Sequence, residues 1–170
     1  AIDFMGSYYM MKRKPNVALN YFLESSTIAD KMGIPYNRAL SYINLGNVYN
    51  AIDDLDKAES FYIKAEIIFS KLPSEQINKD KYTNLLIQLG LTQYSMRKYE
   101  SAFGYIKKVP LPNKLISEAT LKGYSELLKA AIANRDKKYE VSIDALQKVA
   151  ALKLTDPNVV SGYNSFYGEF

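Results

Sequence analysis

Three glycines in this 170-residue chain, Gly6, Gly46 and Gly90, are each followed twelve positions later by an alanine: Ala18, Ala58 and Ala102. Small residues recurring at one fixed spacing call for the same supersecondary unit several times over, which limits the fold more tightly than composition does. The residues around each glycine repeat as well. Met5, Leu45 and Leu89 stand one before it, Ile2, Tyr42 and Leu86 four before, and Tyr9, Tyr49 and Gln93 three after. Steps of three and four gather these side chains on one face of a helix. Four positions beyond each alanine come Phe22, Tyr62 and Ile106, and seven beyond it Ser25, Ala65 and Val109, so a second helix follows the first. The links KRKPN, DDLDK and MRKYES are short and polar, which makes each unit an antiparallel helix pair. In the second link, Asp53 and Asp54 are expected to end one helix and Asp56 to accept orphan amide hydrogens of the next. The glycine and alanine are expected to let the two backbones come close while larger side chains fill in beside them.

These residues resemble the tetratricopeptide repeat, whose first helix carries a large residue, Leu-Gly and Tyr and whose second carries Ala, an aromatic and Ala. Residues 39–72 match best, through Tyr42, Leu45, Gly46, Tyr49, Ala58, Tyr62 and Ala65, with Pro73 just beyond. The segment KKYEVSIDALQKV echoes RKYESAFGYIKKV forty residues earlier, although Lys129 to Ala131 stand where Leu-Gly is expected. The resemblance implies an all-α fold without a sheet: an α-solenoid of stacked antiparallel helix pairs wound as a right-handed superhelix. One domain over 1–170 is expected, with repeats at about 1–36, 37–78, 79–112 and 113–155 and a partial one at 156–170. From Gly6 to Gly46 is 40 residues and from Gly46 to Gly90 is 44, longer than the family's usual period, and such long repeats are similar to those of bacterial regulatory proteins. The surplus is expected to lengthen second helices or the loops DKMGIPYN and KLPSEQINKDK. The chain starts on Ala1 and closes on the aromatic string YNSFYGEF, so it is expected to be a piece of something longer.

Composition excludes several chemistries. Cysteine and histidine are absent, which removes the usual zinc sites, a thiol nucleophile and a histidine-based triad. The eight glycines are scattered singly, so no phosphate-cradling loop is present. Asp53, Asp54, Asp56 and Glu59 lack the glycine and closing glutamate of a calcium loop. Carboxylate pairs such as Glu24 with Asp30 have no accompanying pocket signal, and no catalytic residue, metal ligand or cofactor is expected. The net charge of +4 comes from 22 basic and 18 acidic residues mixed along the chain, not the basic stripe of a nucleic-acid footprint. Lys12, Arg13 and Lys14 precede Pro15 and read as a solvated turn. No apolar run is long enough to span a bilayer.

Asn44, Asn47 and Asn50 interrupt the best repeat at a three-residue step, and each lowers helix propensity by about half a kcal/mol relative to alanine. In stacked helix pairs the first helices line the concave side, and an amide there offers both donors and an acceptor to a peptide backbone. The candidate groove for a protein or peptide segment is Ser7 and Met10 on the first unit, Asn44, Asn47 and Asn50 on the second, and Asn84, Gln88 and Tyr94 on the third. Relatives that clamp a partner's terminal carboxylate use lysine and arginine at groove positions that hold Asp3, Ile43, Asn84 and Gln88 here, which argues against that subtype. The alternative is structural. Tyr163, Phe166, Tyr167 and Phe170 fall at helical spacing and are expected to form an apolar face for self-association.

Overall fold

Nine α-helices and one short 3-10 turn make up the regular structure of the described residues, with no strand among them. The computed structural model describes residues 2–111, 113 and 115–167, the side chains of Phe166 and Tyr167 excepted. The helices are α1 Ile2–Met11, α2 Pro15–Met32, α3 Pro35–Ala51, α4 Leu55–Phe69, α5 Lys79–Ser95, α6 Tyr99–Lys108, α7 Glu118–Arg135, α8 Tyr139–Ala151 and α9 Pro157–Tyr167. They fall into two compact units, Ala1–Thr92 and Gln93–Phe170. In the first unit α1 packs on α2, α2 on α3 and α3 on α4, and the Phe69 and Tyr82 rings, 5.7 Å apart, join α4 to α5. In the second, α6 packs on α7, α7 on α8, and α9 on both α7 and α8.

The glycines create room for a ring. A Cβ added at Gly6 would stand 2.6 Å from Cε1 of Phe22, and one at Gly46 2.5 Å from Cδ1 of Tyr62. Each ring therefore occupies the space of the missing side chain sixteen residues earlier, so the close approach is of backbone to aromatic ring. Ala18, Ala58 and Tyr62 are all fully buried as a result. A second aromatic layer lies beside this one: Tyr9 stacks on Tyr21 with centroids 5.4 Å apart, and forty residues later Tyr49 stacks on Phe61 at 5.5 Å. The Lys57 and Lys64 ammonium groups lie over the Tyr49 and Phe61 rings at 5.1 and 4.9 Å, keeping charge in water above apolar stems.

A single turn geometry closes all four helix pairs. Arg13, Asp53, Arg97 and Lys137 have φ of 55, 63, 59 and 59°, in the left-handed region that glycine usually fills. The amide of each bonds three residues back, to the carbonyl of Met10, Asn50, Tyr94 or Asn134. The next amide bonds five back: Lys14 to Tyr9 and Asp54 to Tyr49 at 2.9 Å, Lys98 to Gln93 and Lys138 to Ala133 at 2.8 Å. These paired bonds satisfy the orphan carbonyls at each first-helix end. The left-handed residue lies seven after Gly6, Gly46 and Gly90, and Lys137 lies seven after Ala130. Ala130 is thus the small residue of the fourth helix pair and Ser142, twelve on, takes the place of the alanine; both are fully buried, and the Ser142 hydroxyl donates to the Ala130 carbonyl at 3.1 Å. The cap of α4 corrects the sequence expectation: Asp54, not Asp56, accepts from the Lys57 amide at 3.2 Å, because the turn places Asp54 just before the helix.

The extra length of the repeats goes to different places. Between the first and second helix pairs it lengthens α2, which runs 18 residues to a left-handed cap at Gly33. Between the second and third it enters the loop, which carries the 3-10 turn Ser74–Gln76 and ends where Asn78 accepts from the Lys81 amide.

Two substitutions of one kind separate packing from propensity. Gly46→Ala is expected to destabilise the chain by about 1–2 kcal/mol, the ring clash outweighing the helix gain. Gly104→Ala on α6, where an added Cβ meets nothing within 4 Å, is expected to stabilise it by about 0.5–1 kcal/mol. Urea midpoints at constant slope read both. Lys137→Gly is expected to raise the same midpoint, since relief of a left-handed lysine, about 1–2 kcal/mol, exceeds the entropy glycine adds to the unfolded chain.

Candidate functional site

Met10 lies half-buried against the cluster of Ala18, Phe22, Leu45 and Val48 that joins the first pair of helices to the second. Ser7, one turn before it on α1, is exposed. The amide of Asn44 on α3 donates from Nδ2 to Asp3 Oδ1 at 3.4 Å, which brings the first helices of the two pairs side by side. Asp3 Oδ1 also accepts from the Ser25 hydroxyl on α2 at 2.7 Å, so one carboxylate ties three helices together through neutral donors.

The three asparagines divide by role. Asn47 accepts the hydroxyl hydrogen of Tyr62 at 2.7 Å. That ring is buried in the space at Gly46, and its hydroxyl needs a partner inside the helix pair. Burial pushes the Tyr62 phenol well above its ordinary pKa, which keeps it protonated as the donor. In the first helix pair the corresponding ring is Phe22, which has no hydroxyl, and the position of Asn47 is filled by Ser7. Asn44 bridges helices. Asn50 is exposed at the end of α3.

Asn84 is exposed and Gln88 half-buried on α5 of the first unit. Tyr94 belongs to the second unit, where its ring lies 5.7 Å from that of Tyr99 and its hydroxyl 3.3 Å from the place a Cβ would take on Gly162 of α9. That unit holds a polar joint which sequence reasoning missed. The Tyr124 hydroxyl donates to Asp156 Oδ1 at 2.9 Å and accepts from Asn158 Nδ2 at 3.3 Å, while Asp156 caps α9 through the amides of Asn158 and Val159. Burial pushes the Tyr124 phenol up to about 12. The pair Asp156-Pro157 is a sequence signal from which the cap could have been found; nothing in the sequence points to the tyrosine 32 residues earlier.

Among the described residues no group of three or more His, Cys, Asp or Glu side chains is placed to hold a metal ion, and no helix is long and apolar enough to cross a membrane. Of the C-terminal aromatics, Tyr163 is half-buried, whereas the Phe166 and Tyr167 side chains and Phe170 lie outside the described residues.

No family model matches the chain, and no curated protein does. Among solved structures it is similar to the apo form of RapI, with a TM-score of 0.57 and 22% sequence identity over 86% of this chain and 51% of that one. The chain has a helical-repeat fold. It spans about half the length of the RapI chain it matches.

The hydroxyl bond gives a clear contrast between neighbouring asparagines. Asn47→Ala strands a buried hydroxyl and is expected to cost about 1–3 kcal/mol. Asn50→Ala is expected to be neutral or to stabilise by up to about 0.5 kcal/mol. Thermal or urea unfolding of the two variants checks both outcomes.

Proposed function

We propose that the chain is a non-catalytic binding module, which holds an extended protein or peptide segment on the polar strip of its first helices. We further propose that it serves as the sensor or regulatory part of a bacterial signalling or transcription regulator. The observation that carries the binding reading is the strip on α1 and α3. Ser7 and Asn50 stand exposed on it, Asn44 and Asn47 are half-buried with their amides already oriented by bonds to Asp3 and Tyr62, and Met10 supplies an apolar floor. Side chains that are held before a ligand arrives lose little entropy when they engage it. The donors and acceptors are neutral, which suits main-chain amides, and Asn84 and Gln88 add the same chemistry from α5. The regulatory reading rests on the long repeats and on the likeness to RapI, a helical-repeat protein whose structure was solved in an apo form.

Asn50→Ala combined with Ser7→Ala removes the exposed polar groups of the strip and leaves the Tyr62 bond in place. Peptides selected on the native chain from a random display library are expected to bind the double variant roughly five- to thirtyfold more weakly by calorimetry, the loss of two hydrogen bonds of about 0.5–1 kcal/mol each. Its dichroism spectrum is expected to match the native one. Undiminished affinity would remove the strip as the binding surface.

A further inference from the structure

In the second unit, two of the helix-pair turns stand side by side. Arg135, the last residue of α7, grips the Glu100 carboxylate in the first turn of α6 with both ends of its guanidinium, Nη1 to Oε2 at 2.9 Å. This places Arg97 and Lys98, at the turn into α6, next to Lys137 and Lys138, at the turn into α8. All four are exposed, and the backbone bonds of the turns fix where each side chain starts.

Two of these cations, Arg97 and Lys137, occupy backbone positions that cost the fold strain. Arg97 and Lys137 sit in the left-handed region, where glycine or asparagine is the less strained choice. Lys98 and Lys138 precede the first turns of α6 and α8 and form no side-chain cap, and their charge lies at the positive end of the helix dipole. The turn into α4 shows the alternative, because there Asp53 and Asp54 fill the same two places and Asp54 caps the helix. Residues that cost local stability without local return mark surfaces used for something else.

We propose that this edge docks an acidic segment of a protein partner, with carboxylates received by Arg97 and Lys137. Two of the edge's own acids are taken up within it, Glu100 by Arg135 and Asp136 by Arg135 and, at 3.7 Å, by Lys138, which leaves the charge of Arg97 and Lys137 directed outward. The Arg135–Glu100 fork already shows the mode of recognition, a carboxylate held between two donors of one guanidinium. Glu100, Asp136 and Glu140 interrupt the cations. A nucleic-acid backbone carries charge at every phosphate and meets those acids, whereas carboxylates separated by neutral residues interleave with them. Tyr139, 50% exposed, and Val141, 55% exposed, lie in the first turn of α8 beside the cations and offer apolar contact to such a segment.

The test uses the full chain and a dye-labelled nonapeptide in which glutamates alternate with serines around a central leucine, followed by fluorescence anisotropy at low salt. Its glutamine counterpart and a nine-nucleotide oligothymidine serve as comparisons. Arg97→Gly with Lys137→Gly keeps the turn geometry and removes two cations; Lys31→Gln with Lys71→Gln removes two from the first unit as the control for net charge. The native chain and the control are expected to bind the glutamate peptide alike and the glutamine peptide not at all, with affinity at least about fivefold lower for the edge variant. Absence of binding to the native chain, equal loss in the control, or tighter binding of the oligothymidine than of the peptide would each overturn the proposal.

Discussion

A missing side chain organises the packing of the first unit. Gly46 leaves a hole on α3, and the hole admits the whole ring of Tyr62 from α4, so the helices of the pair close around an aromatic side chain and not merely along a smooth face. Filling the hole with a phenol buries a hydroxyl, and a buried hydroxyl without a partner costs as much as the packing gains. Asn47, one residue after the glycine, is placed to accept it. A poor helix former in the middle of α3 is thus the consequence of a tyrosine fifteen residues later. Where the ring is Phe22 the demand vanishes, and Ser7 stands exposed in place of the amide.

The turns impose a second constraint. Four first helices end in the same pair of amide–carbonyl bonds, and none of the four uses glycine at the left-handed position. The backbone conformation is therefore held by the hydrogen bonds and by the packing of the helices on either side, and the identity of the residue is free for other purposes. Asp54, in the next position, uses its side chain for capping. The turns of the second unit use that freedom to display charge.

Register was legible in the sequence because it depends on spacing alone. The intervals from glycine to alanine and from glycine to the polar link located the first three helix pairs, and the all-α fold followed from helical periodicity with polar breaks. The fourth pair was harder, since Ala130 and Ser142 replace glycine and alanine; its register was carried by the echo of RKYESAFGYIKKV in KKYEVSIDALQKV, and the left-handed turn at Lys137 falls where that echo aligns it with Arg97. Polar partnerships were not legible. The bond of Asn47 to Tyr62, of Asn44 to Asp3 and of Tyr124 to Asp156 each joins residues on different helices, and periodicity places a residue on a face without saying which atom across the gap it will meet.

The three asparagines show what this means for reading a site from a sequence. All three carry the same cost in helix propensity, and that cost alone does not distinguish a binding residue from a structural one. The distinction comes from where the hydrogen-bonding capacity is spent. Asn47 gives its oxygen to the core and retains two donors, Asn44 gives a donor to Asp3 and retains its oxygen, and Asn50 stands exposed at the helix end. A strip built in this way presents donors and acceptors whose orientation is already fixed by the fold, and it carries no cation. Affinity there depends on matching hydrogen bonds and is only weakly screened by salt, in contrast with the cationic edge of the second unit, where attraction is Coulombic and fades within a Debye length of about 10 Å at 0.1 M salt. The two surfaces therefore select different chemistry in a partner: exposed main chain for the one and spaced carboxylates for the other.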